Sequence, residues 1–245
     1  MISALISGIT VILSGGEEES EEKVDIYEES PLSEEVEALR PDILAELKKY
    51  GKEEYINLFL ALVMQESGGQ GEDVFQCSES LGKAPNSIDK KQSIEHGVKV
   101  LCGYLDHDKI KVSSPDDLDN IKTALQAYNY GGGYIDYINS SNFGRDTTAN
   151  DLKNLGKWTQ ENALAYQKKR SADANHGTPV PRTGSSATIL GPYQYGDAYY
   201  VKHVLRYYSN ANKGNTQFAS KAGEAAKVSY EDKQKYIWGN GNPPL

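Results

Sequence analysis

The chain has 245 residues, of which 38% are hydrophobic, and a formal net charge of −9. That length fits one ordinary domain with extensions, or one domain plus part of another. The acidic balance lacks the basic footprint of a protein whose main partner is DNA or RNA, so no nucleic-acid partner is expected.

The chain opens on an apolar run within residues 1–15, too short for a membrane span of roughly 20 residues and without the basic start of a signal peptide. Two readings stay open for it: the far half of a truncated membrane anchor, which would make a membrane tether, or a tail. Residues 16–32 follow as a linker that holds much of the acidity, in the run Glu17 to Glu29.

Order is predicted from Ser33. Val36, Leu39, Ile43, Leu44 and Leu47 recur at three- and four-residue steps, the mark of a helix with one buried face. Pro41 divides that helix in two, because proline starts helices and breaks their interiors. Gly51 stops the second piece.

From Tyr55 to Met64 the sequence is apolar almost all the way round. A helix of that kind belongs in the middle of a domain. Gly68 and Gly69 end it. Further helices are predicted at 93–105, with Ile94, Val98, Leu101 and Leu105 inward, and at 117–130, with Leu118, Ile121, Leu125 and Tyr128 inward. Short helical pieces follow near 134–138 and 162–169, then a polar loop at 176–191. A last helix at 197–208 turns Ala198, Val201, Leu205 and Tyr208 inward. No strand pattern of any length occurs. The fold class is therefore mainly α, with room for a short hairpin around residues 74–90.

The two cysteines, Cys77 and Cys102, leave a disulfide and two buried free thiols equally open. The four histidines, His96, His107, His176 and His203, are scattered, and no zinc-type spacing exists. Neither a metal site nor a cofactor is expected.

Glu66 carries the strongest chemical signal. It ends the buried helix, where partial desolvation disfavours its charged form and the negative end of the helix dipole acts the same way. A carboxyl kept protonated near neutral pH is what protonation of a glycosidic oxygen requires. Ser67-Gly68-Gly69 bares the backbone beside it and lets a ligand come close.

Gln65-Glu66-Ser67-Gly68-Gly69 resembles the E-S-G signature of the lysozyme and lytic transglycosylase superfamily, whose Glu is the general acid. Residues 73–82, DVFQCSESLG, are similar to the D-P-M-Q-x-S-E-S segment of a narrower family. These are the CwlT-like cell-wall hydrolases of conjugative elements and related bifunctional lysins. Residues 127–133, AYNYGGG, resemble the A-Y-N-x-G motif, and residues 195–207 resemble the family's closing helix. The four segments stand in the family's order across 33–209, which is identified as a lysozyme-like domain of the goose-type or lytic transglycosylase kind.

The resemblance implies Glu66 as catalytic acid and Asp73 as a second acidic residue. By the same resemblance, Gln76 is expected to line the cleft, and Tyr128 and Asn129 to lie beside the acid and contact sugar. Ser78 and Glu79 lie in the matching motif, with support of the cleft loop as their role. Val74-Phe75 depart from the common P-M, which bears on packing. On two-carboxylate logic, Asp73 at about 5 Å from Glu66 would be a nucleophile and about 6.5–9.5 Å would leave room for a water. A greater separation leaves Glu66 as the only acid–base group, as in lytic transglycosylases. The implied substrate is the peptidoglycan glycan strand, and the implied activity a muramidase, with a lytic transglycosylase and a silent glycan-binding module of a secretion or conjugation apparatus as alternatives. The implied place is extracellular, at the cell surface, beside conjugation or secretion machinery.

Residues 210–245 read as a linker followed by a segment, QKYIWGNGNPP at 234–244, that resembles the opening of an NlpC/P60 peptidase domain.

Overall fold

The computed structural model describes residues 30–140 and 155–208. The apolar start, nearly all of the acidic linker and the tail from 210 onward lie outside the described residues, so their readings are neither supported nor opposed.

The described residues form nine α-helices: α1 (Glu34–Ala38), α2 (Arg40–Lys48), α3 (Ile56–Glu66), α4 (Lys90–Leu105), α5 (Leu118–Tyr130), α6 (Gly133–Ile138), α7 (Gln160–Asp173), α8 (Gly184–Leu190) and α9 (Tyr200–Leu205). Side chains at their starts explain several boundaries. Ser33 Oγ accepts from Val36 N at 3.2 Å before α1, and Asp89 Oδ1 from Gln92 N at 2.8 Å before α4. Thr159 and Asn162 form a reciprocal capping box on α7. Pro41 sits in the first turn of α2, where its missing N–H costs nothing.

Helix α3 is the hub. Leu58 to Gln65 are all buried, as an apolar surface on every side demands. Each large apolar side chain there stabilises the fold by about 1.5–3 kcal/mol. Helices α1, α2 and α9 pack on α3; α4 bridges α2 and α5; α5 touches α9 and α6; and α6 leans on α7. Ala198, Val201, Leu205 and Tyr208 are all fully buried, as expected of the closing segment. Leu44 is not: it is 38% exposed, because α2 turns only Ile43, Glu46 and Leu47 inward.

A second, smaller core is built from tyrosines. Tyr130, Tyr134, Tyr137 and Tyr166 enclose Ile138 and Ala163. Their ring centroids lie 5.0–5.7 Å apart in tilted and edge-on pairs, as ring quadrupoles prefer. The chain has 17 tyrosines against 4 phenylalanines, and the four tyrosines of this core serve packing.

One open possibility is closed and one expectation is corrected. No hairpin forms around 74–90; that stretch is turns and one 3-10 turn, Glu79–Leu81, and the one isolated bridge among the described residues pairs Pro181 with Tyr193. The reason is that side chains take the backbone donors a ladder would need: Cys77 N and Ser78 N bond to the Asp73 carboxylate and Phe75 N to Ser93 Oγ. The supposed loop at 176–191 contains α8, a polar helix with only Leu190 buried. No helix among the described residues is long and apolar enough to cross a membrane.

Candidate active site

Glu66 is the last residue of α3 and is half-buried. The Tyr200 hydroxyl, from the start of α9, donates to its Oε1. Tyr200 is fully buried, and burial, followed by the Glu66 charge, pushes its own ionisation far up, so it remains a donor. Gly68, two residues after the acid, faces open space in which an added Cβ would meet nothing within 4 Å. The Ser67 hydroxyl does not face a ligand. It donates to Val74 O at 2.8 Å and accepts from Gly69 N at 3.1 Å, which stitches the end of α3 to the next loop.

That loop is organised around Asp73. The side chain is only 2% exposed. Oδ1 accepts from Cys77 N at 3.0 Å and Ser93 Oγ at 2.7 Å; Oδ2 accepts from Ser78 N at 2.9 Å and Ser78 Oγ at 2.5 Å. Burial pushes the carboxyl's pKa up, but the hydrogen bonds from Ser78, Cys77 and Ser93 outweigh it and hold the group below its ordinary value. Asp73 is an ionised hub that closes the turn at 73–78 and ties it to α4. Phe75 completes the junction: its N donates to Ser93 Oγ at 2.9 Å, and its ring lies where a Cβ on Gly97 would come within 2.3 Å. Only glycine allows α4 to approach so closely.

Gln76 takes a left-handed backbone with φ of 48°, a conformation that costs a non-glycine residue energy and persists only where contacts enforce it. Its Nε2 donates to Asp73 O at 2.8 Å and to Asn86 Oδ1 at 2.7 Å. Ser78 is buried and serves Asp73. Glu79 keeps a buried Oε1 without a hydrogen-bond partner, and burial, then the Asp73 charge, push its carboxyl up.

Tyr128 and Asn129, on the last turn of α5, act as ties. Tyr128 Oη donates to Phe75 O at 2.9 Å, and Asn129 Oδ1 accepts from Asp197 N at 2.7 Å. One holds the 73–78 loop and the other the segment leading into α9. Burial pushes the Tyr128 ionisation far up, with Cys77, Glu66 and Asp73 adding to it, which places its hydroxyl in the same electrostatic neighbourhood as the acid.

The structure therefore gathers Glu66, the 73–79 loop and the end of α5 around one place. It adds Tyr200, Ser93 and Asp197, which motif reading did not single out. Tyr200 is one of several adjacent tyrosines and lies 134 residues from its partner; Ser93 looks like any helix serine. Cys77 and Cys102 are buried free thiols, which decides between the two open readings. Burial, then the Asp73 charge, pushes Cys77 up to about 12, and burial pushes Cys102 up to about 12.

The lysozyme-like family model matches residues 33–208. The chain is 35% identical to the bifunctional muramidase/DL-endopeptidase CwlT of Bacillus subtilis, over 89% of this chain and 56% of that protein. It is 32% identical to the B. subtilis membrane protein YocA, over 67% of this chain and 64% of that one. It is 33% identical to pneumococcal vaccine antigen A of Streptococcus pneumoniae, over 69% and 71%. Thus it spans less than two thirds of the length of the first two. Among solved structures, an NLP/P60-family protein similar to lipoprotein, from Staphylococcus aureus Mu50, matches with a TM-score of 0.56 and 31% identity, over 87% of this chain and 65% of that one.

Proposed function

Because this chain belongs to the lysozyme-like family, we propose that it cleaves the glycan strands of peptidoglycan as an N-acetylmuramidase, at the β-1,4 bond between N-acetylmuramic acid and N-acetylglucosamine. The observation that carries the proposal is Glu66 at the open end of the buried helix α3, held by Tyr200 and next to unobstructed backbone at Gly68. Similarity to a named muramidase supports it.

In this reading Glu66 protonates the leaving glycosidic oxygen, the C1–O bond breaks, and a water completes the cleavage to leave a reducing muramic acid end. Asp73 keeps its charge and shapes the cleft, since both its oxygens are already engaged by loop donors. Gln76, Glu79, Tyr128 and Asn129 form the wall against which the glycan lies, and Ser78 supports it from behind through Asp73. A peptidoglycan substrate supports a location outside the membrane, at the cell surface. The resemblance to hydrolases of conjugative elements supports a role in opening a local gap in the wall for transfer machinery.

The engagement of Asp73 also favours a second reading. With Glu66 as the sole acid–base group, the sugar's own 6-hydroxyl can attack and give a 1,6-anhydro product, as a lytic transglycosylase does. Mass spectrometry of muropeptides released from purified peptidoglycan separates the two. Products with a reducing muramic end support the muramidase; products lighter by one water assign the transglycosylase; intact peptidoglycan with bound protein would leave a glycan-binding module and refute both.

A further inference from the structure

The Tyr200 hydroxyl reaches Glu66 from a helix only six residues long, Tyr200–Leu205. So short an element does not hold its own orientation; isolated helices of this length are not stable. Something must fix where α9 begins.

Asp197 does so, three residues before Tyr200. Its backbone is gripped from both sides by α5: Asn129 Oδ1 accepts from Asp197 N at 2.7 Å, and Gln126 Nε2 donates to Asp197 O at 3.0 Å. The preceding Gly196 has φ of 42°, and a Cβ there would meet Asn129 Oδ1 and the Tyr130 ring at 2.7 Å, so the chain can pass this point only as glycine. The Asp197 side chain then turns toward α9. It is 3% exposed, Oδ1 accepts from Tyr199 N at 2.8 Å, and Oδ2 lies 2.7 Å from His203 Nδ1. His203, one turn beyond Tyr200, is half-buried. A carboxylate only accepts, so His203 donates through Nδ1–H. The carboxylate thus binds the α9 backbone at Tyr199 and its side at His203, while α5 anchors the carboxylate's own backbone.

We propose that Asp197 and His203 are a positioning pair that holds Tyr200 against the catalytic acid. Neither touches the reacting bond; both act through the Tyr200 hydroxyl. The inference rests on Glu66 being the acid. It gives the end of α5 a second part beside its place in the cleft wall, as the fixed base on which the acid's partner is aligned. The Asp197 charge, lying near Tyr200, further opposes loss of the Tyr200 proton.

The test is a set of coupled variants of the full chain, assayed for release of soluble muropeptides from purified peptidoglycan. Asp197→Asn and His203→Ala should each lower the saturating rate by roughly 10- to 100-fold, the scale for displacing an aligned group by about 1 Å. The half-saturating peptidoglycan concentration should stay unchanged. In a Tyr200→Phe background the same substitutions should add no further loss, because the group they align is already gone. Equal losses in both backgrounds would overturn the inference, as would a rise in half-saturation at constant saturating rate, or unaltered rates. Should Asp197→Asn not fold, His203→Ala carries the comparison, since its half-buried side chain is the milder change. Glu66→Gln, run in parallel, separates the two levels. An active Glu66→Gln removes the acid assignment itself; an inactive one beside uncoupled Asp197 and Tyr200 removes only the positioning pair.

Discussion

Tyr128 Oη donates to Phe75 O across 2.9 Å, joining the last turn of α5 to the loop that follows the acid-bearing helix. Two segments that lie 53 residues apart in sequence are thereby bound together. Tyr128→Phe keeps the ring and removes the bond. It should destabilise the fold by about 1–3 kcal/mol, the cost of leaving a buried carbonyl unpaired. Urea unfolding of the two proteins measures this, and a midpoint equal to wild type would show that the tie carries no stability.

Asp73 should reveal itself by acid. Its folded-state pKa lies below the ordinary aspartate value of 3.8. Its stabilisation is therefore complete above that ordinary value and is lost as pH falls through the lower folded value. Asp73→Asn should abolish this part of the acid dependence. All four close partners are donors, and an amide offers one oxygen and one NH2 group, so half of the set meets a donor instead of an acceptor. A loss of about 1–3 kcal/mol at pH 7 is expected. Denaturant curves at pH 7 and at stepped values below 4 provide the check; parallel acid profiles for the two proteins would contradict the assignment of Asp73 as an ionised hub.

The thiols give a simpler test. With Cys77 and Cys102 buried and each raised to about 12, almost no thiolate exists at pH 8. A chromogenic disulfide reagent should find no reactive thiol in the folded protein and both after denaturation without reductant. A denatured protein that yields neither would mean that the two had paired.

Gly97 tests the close packing of α4 on the loop. A methyl group there would overlap the Phe75 ring. Gly97→Ala should therefore cost about 1–3 kcal/mol through overpacking, although alanine is the better helix former. A thermal midpoint that rises would show that the ring moves aside freely.

Much of the architecture was legible because its physical signals are local. The unbroken apolar run of α3, the three- and four-residue spacing in α4 and α5, and the end signals at Ser33, Pro41 and Gly51 all act within a few residues. The place of Glu66 at the end of that buried helix was legible for the same reason. Where the determining contact is distant, the local signal is silent. Nothing near Tyr200 marks it, among neighbouring tyrosines, as the partner of Glu66. Ser93 reads only as the start of a helix until Asp73 is brought to it from 20 residues away. The short hairpin left possible around 74–90 does not form on the same account: side chains, not a partner strand, take the N–H groups of Phe75, Cys77 and Ser78. Helix α8 escaped notice because it buries only Leu190 and so shows no apolar stripe. Leu44 fits the spacing of its helix and is still exposed, since α2 buries only Ile43, Glu46 and Leu47.

The central claim is that Glu66 is the acid that cleaves peptidoglycan. The most direct measurement is digestion of purified peptidoglycan by the wild-type chain and by Glu66→Gln at equal folded concentration, with the soluble products weighed by mass spectrometry. The amide keeps the shape of the carboxyl and cannot deliver a proton. The account predicts disaccharide-peptides with reducing muramic ends from wild type and none from the variant. Release of the same products at the same rate by Glu66→Gln would contradict it.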